Sequence, residues 1–485
     1  MTFVTKKHLC QPLSTVIALS LVSIATHASN TGTDTNLTAK ARAGGMAGAA
    51  YTMPQEASAA VFGNPATLTQ FKGININAAA SILTISSVDI ETSSTINALG
   101  GPVSNSSHSD ADNYIIPDFG ITVQVSPNLV LGTGLEVDAG IGADYRDDPI
   151  SLTGAGLVTL PLNVELLSFN ANLAAAYQTT EKLSIGAALT IGFGLAQLGT
   201  TGPTTGLNAL LGANATGTPY TQDGSANLGI NDFGGTSSSV HDIGFGASLG
   251  AVYQVSDDIA LSLTAKSEVQ YNFNNAVYQD TSSFAFGGEA GNYQNLKLEQ
   301  PAEIIVGAAL NNVLIPGLLI EADFVWKNWS EAATYQDMFD DQFMFLIGAQ
   351  YQRGAWSYRI GYSFVENMLK DKAGNTLDDL AGLGSLPMGN TGGGPFKNDI
   401  TKIAQATLLP IIWKHTITGG IGYAISDAMS IDAYVAYAFA EEDNFKLTNI
   451  ENAISAHVLP ISDLEMKSGV DAGYLFGAGL NISLP

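Results

Sequence analysis

Residues 183–195 read "LSIGAALTIGFGL". In an extended chain, Leu183, Ile185, Ala187, Leu189, Ile191, Phe193 and Leu195 share one side. Ser184, Gly186, Ala188, Thr190, Gly192 and Gly194 share the other. A period of two is the signature of a β-strand. A soluble sandwich alternates too, but its solvent face normally carries charge. Here the second face holds only small residues. One side suits lipid, and the other suits a narrow interior that must hold something else.

The pattern recurs. Ile259, Leu261, Leu263 and Ala265 oppose Ala260, Ser262, Thr264 and Lys266. Trp356, Tyr358, Ile360, Tyr362 and Phe364 oppose Ser357, Arg359, Gly361 and Ser363. Met429, Ile431, Ala433, Val435, Tyr437 and Phe439 oppose Ser430, Asp432 and Tyr434. Charged residues are 13% of the 485, about half the usual ~25%, and mean hydropathy is positive at +0.17. Beyond residue 28 no apolar run approaches the ~20 residues of a spanning helix. A membrane chain without such helices must close its strands into a barrel, because lipid satisfies no backbone polar group. About fourteen segments fit, from 74–88 to 469–484, with 259–273 and 297–311 each read as one strand. Short turns ("SPNL", "QTTEK", "QVSDD", "QRGA", "ISDAM") alternate with long connections such as 89–113, 197–240, 366–412 and 440–468. That alternation predicts short periplasmic turns and long external loops.

Two segments precede the barrel. Residues 1–28 have the form of a cleaved signal peptide: Lys6 and Lys7, an apolar Leu13–Ala25, then Thr26-His27-Ala28. Its removal takes the lone cysteine, Cys10, and makes the net charge of −25 more negative still. An acidic exported chain without thiols is no nucleic-acid binder. Residues 29–73 do not alternate. They are small and polar, with apolar Met46, Tyr51, Val61 and Phe62, and end in the turn Asn64-Pro65-Ala66. Such a stub can fold into the lumen and plug it. The expected organisation is a 1–28 signal, a 29–73 hatch and a 74–485 all-β transmembrane antiparallel barrel.

The stretch "GGMAGAAYTMPQEASAAVFGNPATLTQF" resembles the N-terminal hatch of the FadL/TodX-type outer-membrane transporters. The likeness continues through "IPDFGITVQVSPNLVLGTGLEVDAGIGADYRDD" and "DIGFGASLGAVYQVSDDIALSL" to "HTITGGIGYAISDAMSIDAYVAYAF". The resemblance implies uptake of long-chain fatty acids or similar hydrophobic compounds across the Gram-negative outer membrane. External loops capture the substrate, the hatch moves, and release is lateral, into the membrane, beside a kinked third strand. The kink maps onto Ala139, Gly140 and Gly142, and strand glycines independently suit a bend. The turn Asn64-Pro65-Ala66 is expected to pack against that kink. Aromatic or alkane hydrocarbons are alternative substrates, and a general porin is a further one. Likeness also implies a monomer in contact with membrane lipid and lipopolysaccharide. The ending on Pro485 departs from the usual aromatic end of such barrels.

Lys266 and Arg359 face inward and are candidate contacts for a substrate head group. Pairing with wall carboxylates such as Glu268 or Asp432 is the competing reading. No catalytic constellation emerges. "GASLG", Gly246–Gly250, matches a nucleophile-elbow pattern, but Ser248 lies inside an alternating strand rather than between strand and helix. His108, His241, His415 and His457 lack metal-ligand spacing. No cofactor, metal site or enzyme activity is expected.

Overall fold

The alternating segments close into one antiparallel barrel of fourteen strands. The computed structural model describes residues 36–156, 159–160, 162–201, 225–230, 240–279, 292–369, 399, 402–403, 405–407, 413–457 and 459–485. The expected signal at 1–28 and most of the connections at 197–240 and 366–412 lie outside the described residues. The first seven strands are β1 (Ile74–Ile85), β2 (Asn113–Ser126), β3 (Leu129–Asp144), β4 (Leu162–Gln178), β5 (Leu183–Thr201), β6 (Val240–Ser256) and β7 (Ile259–Lys266). The other seven are β8 (Glu303–Asn311), β9 (Leu318–Lys327), β10 (Gln342–Arg353), β11 (Trp356–Val365), β12 (His415–Ser426), β13 (Met429–Ala438) and β14 (Gly473–Leu484). Closure is made by the last strand on the first, in register from Gly473 opposite Ile85 to Leu484 opposite Ile74.

Side-chain orientation follows the sequence period. Leu189 is 62% exposed while its neighbour Ala188 is 4%. Ile185, Leu249, Phe245, Ile360 and Phe476 also stand outward. Aromatic residues gather at both ends of this apolar band, as interfacial girdles do. Trp356 and Tyr423 lie 4.7 Å apart by ring centroid beside the short turns. Tyr437 meets Phe439 at 5.0 Å and Tyr474 at 5.3 Å at the other end. No described helix is long and apolar enough to cross a membrane.

Three features depart from the expected strand map. The 259–273 segment is broken: β7 ends at Lys266, and a second piece, Val269–Gln279, pairs with Asn292–Gln300. The 297–311 segment is broken in step, at Pro301-Ala302, where proline cannot donate to a ladder. The piece after the break leans inward. Val269 lies over Gly244 and Gly246 of β6, and a Cβ at Gly244 would come within 2.6 Å of Val269 Cγ1. Tyr271 crosses further, and its hydroxyl reaches Ser168 Oγ of β4 at 2.7 Å. Finally, the connections at 89–113 and 440–468 hold structure of their own. Val88–Ile96, Gly101–His108, Glu441–Lys446 and Ser462–Val470 form a separate four-stranded sheet. Helix Thr448–His457 accompanies it.

Leu189→Arg tests the lipid-facing assignment. It should cost about 2–4 kcal/mol in urea titrations of the barrel folded into vesicles, the depth-dependent cost of a cation at the bilayer midplane. In a water-facing strand the same change would be close to neutral.

Candidate functional site: the filled lumen

The N-terminal segment runs inside the barrel and is fastened to its inner wall. Its helix Ala57–Phe62 is buried at every residue. A short 3-10 turn, Pro65–Gln70, follows. Asn64 caps it, accepting from Ala66 N at 3.1 Å. Pro65 sits in the first position, where its missing N–H costs nothing. The Asn64 amide also donates to Tyr51 O at 3.0 Å, tying the turn back to the segment's middle. Backbone comes very close to wall here. A Cβ at Gly250 of β6 would overlap Asn64 Oδ1, and one at Gly186 of β5 would overlap Pro65 and Ala66. The inner glycines are therefore a seat for the turn.

This seat is on β5 and β6. The turn and the Ala139-Gly140-Gly142 stretch of β3 are thus held on different parts of the wall. Other parts of the segment meet β3 below that stretch: Leu68 lies against Gly132, Phe62 against Gly134, and Lys40 pairs with Glu136.

Polar fasteners complete the attachment, at positions far apart in sequence. Lys40 lies 3.3 Å from Asp118 of β2, and both are buried. Ser58 Oγ and the Asn77 amide each donate to Asp118 at 2.7 Å. Glu321 of β9 accepts from Thr52 N at 2.6 Å and Met53 N at 3.0 Å. Arg42 and Arg359 share Asp432 of β13, each at 2.8 Å. Asn481 of β14 donates to the same carboxylate at 3.0 Å. Arg359 therefore pairs with Asp432, one of the two carboxylates named from sequence. Lys266 pairs with Glu303, at 3.0 Å, rather than with Glu268. Glu321 was not foreseen, because no local signal connects it to Thr52.

Above this floor the wall opens. β2 and β3 pair from Ser126 and Leu129 up to Asp118 and Glu136, and no further. Beyond that level β2 keeps β1 on its other edge, through Asn113 opposite Thr84. β3 continues on β4 with a register shift between Val137 and Ala139. Gly140 and Gly142 lie past that bulge, opposite Leu167 and Glu165. A cavity of about 40 Å³ lies between the bulge and the broken β7 and β8, over Phe62. A larger groove, about 540 Å³, is lined by the outward Leu131, Leu173, Leu189 and Leu249. That groove lies on the apolar outside of the barrel.

An apolar cluster fills the space between floor and outside. It joins Tyr51 of the N-terminal segment to Tyr271 and Phe273 of the inward hairpin and to Trp329 and Phe339 above β9. It continues to Phe445 and Ile454 of the external elements. Trp329, Tyr335 and Phe339 are mutually within 5.4 Å by ring centroid. Burial pushes the Tyr335 hydroxyl above its usual range, so it stays neutral.

Among the described residues, the serine and histidines singled out in the sequence stay apart. Ser248 lies inside β6, with no helix after it. His108 is beside Asp89, His415 beside Tyr362 and His241 beside Phe193, all apart. No group of His, Cys, Asp or Glu among the described residues could hold a metal ion.

A family model described as outer membrane protein transport protein (OMPP1/FadL/TodX) matches residues 21–377. The chain belongs to this family. Its members are transporters and channels for hydrophobic compounds rather than enzymes. The fold agrees with solved members. The Pseudomonas putida toluene transporter TodX is 17% identical, with a TM-score of 0.56 over 88% of this chain and 94% of that one. A Pseudomonas aeruginosa FadL homologue is 12% identical, with a TM-score of 0.61 over 95% and 100%. The CymD monoaromatic hydrocarbon channel is 18% identical, with a TM-score of 0.54 over 93% and 98%. Among curated proteins none matches the chain.

Two changes test the fastening. Asp432→Ala strands two guanidiniums, Arg42 and Arg359, and should cost on the order of 3–5 kcal/mol, the range for breaking a buried pair. Unfolding midpoints in urea would measure it. Gly186→Val should leave the barrel folded while making residues 36–73 accessible to protease, and planar-bilayer recordings should then show ion conductance absent from the parent.

Proposed function

We propose that the chain is a passive outer-membrane transporter that takes up long-chain fatty acids or similar hydrophobic compounds. The observation that carries the reading is the apolar cluster running from the external elements to Tyr51, above a polar, closed floor. A greasy molecule gains roughly 25 cal/mol for each Å² it buries on such a path. An open aqueous pore offers it nothing comparable. The general porin reading is disfavoured by the same floor, which lies across the lumen.

In this reading residues 29–73 are the hatch and 74–485 the barrel, exported by a signal at 1–28. Substrate collects among the external loops, and its binding shifts the hatch toward an open state. It leaves sideways where β2 and β3 part, beside Ala139, Gly140 and Gly142, and so never returns to water. Asn64, Pro65 and Ala66 anchor the moving floor on β5 and β6. Lys266 and Arg359 hold wall carboxylates rather than a substrate. The transporter acts as a monomer within lipid and lipopolysaccharide. Aromatic or alkane hydrocarbons are the second reading, favoured by the cargo named for TodX and CymD.

Uptake of labelled oleate and labelled toluene by cells lacking their own transporters separates the readings. Deleting Asp138, the residue at the register shift, should rejoin β3 to its neighbours and lower uptake about tenfold, equivalent to ~1.4 kcal/mol. Asn64→Ala with Pro65→Ala should lower it as well. Full uptake after the Asp138 deletion, with the barrel folded, would remove the lateral route.

A further inference from the structure

The cavity between the β3 bulge and the β7–β8 break is polar, unlike the column above it. Asn170 and Asn172 of β4, Ser248 of β6 and Gln300 at the break line it. The first three are at most 8% exposed. Asn170 Oδ1, Asn172 Oδ1, Ser248 Oγ and Gln300 Oε1 have no hydrogen-bond partner in the protein. The orientation of Asn172 is fixed from the hatch side, because its amide donates to Val61 O at 3.2 Å. That leaves its oxygen toward the cavity. Buried amide oxygens without a donor are destabilising, and a donor from a ligand removes that cost.

Charge narrows the ligand. Lys266 lines the cavity, and the lining Glu136 and Glu303 already pair with lysines. Lys40 is paired with Glu136 and Asp118, and Lys266 and Lys327 are both paired with Glu303. Asp138 also lines the cavity, so the acids outnumber the lysines. An incoming carboxylate would meet like charge and no spare cation. A plain hydrocarbon would leave the amide oxygens unsatisfied.

We propose that this cavity takes the uncharged hydroxyl head of an amphiphile. The O–H donates to the amide oxygen of Asn170 or Asn172, its oxygen accepts from the Ser248 hydroxyl, and the apolar tail leaves through the adjacent parting of β2 and β3. The cavity's volume of about 40 Å³ fits a head of a few heavy atoms. The inference rests on the transport reading and deepens it by naming a substrate class: alkanols and alkylphenols ahead of fatty-acid anions and hydrocarbons. A fatty acid qualifies only in its protonated form.

Equilibrium binding to the barrel in lipid nanodiscs tests it, with tritiated 1-decanol, decanoate at pH 8 and decane as probes. Decanol should bind about tenfold more tightly than either, the gain from one or two added hydrogen bonds. Asn170→Leu with Ser248→Ala should remove that preference while decane binding holds, and a retained heat-modifiable gel band would show that the barrel is folded. Equal affinity for decanol and decane overturns the head-group assignment and leaves the transport reading intact. Tightest binding of decanoate at pH 8 overturns it in favour of an anion. Failure of all three probes to bind the folded barrel counts against both the head-group assignment and the transport reading.

Discussion

A strand in lipid must find a partner for every backbone N–H and C=O, because the solvent offers none. Everything else in this molecule is arranged around that demand. It forces the fourteen strands to close, β14 on β1, without a free edge along the seam. It also explains where the exceptions can stand. The wall departs from full pairing beside β3 and beside the β7–β8 break, and at both places other chain lies close. β3 holds β4 along its second edge, and the inward hairpin lies over β6.

Closure alone would leave a hollow, and the small inner face decides what fills it. Alternation gives large apolar residues to the lipid and Gly, Ala and Ser to the lumen. Backbone of the proposed hatch can then approach to contact distance at Gly186 and Gly250. The remaining attachment is polar, through ion pairs and hydrogen bonds between buried groups. Asp432 receives two arginines, while Glu321 receives two backbone N–H groups. Removing one partner from such a set costs more than the set contributes, since the others stay buried.

The barrel was legible because its signal is local. Period-two alternation and tight turns are read over a dozen residues, and they placed most strand starts closely, while β3 and β5 run on to Asp144 and Thr201. The break in β7 and β8 was less legible, although Pro301 stood in the middle of a segment read as one strand. The apolar alternation on either side outweighed it. Residues 89–96 fell within the connection expected at 89–113, yet they form a strand that pairs outside the barrel. The attachments of the lumen were not legible at all. Thr52 and Glu321 are 269 positions apart, and no spacing rule connects them. Which glycine meets which turn is likewise a three-dimensional fact. The sequence reading supplied the small faces but not their partners.

The double arginine at Asp432 also has a consequence for closure. One guanidinium comes from Arg42 of the N-terminal segment and the other from β11, but the carboxylate lies on β13 and its helper Asn481 on β14. Without those two strands in place, the two cations have no shared anion. Seating the N-terminal segment and closing the seam are therefore coupled, because each supplies part of the site the other needs.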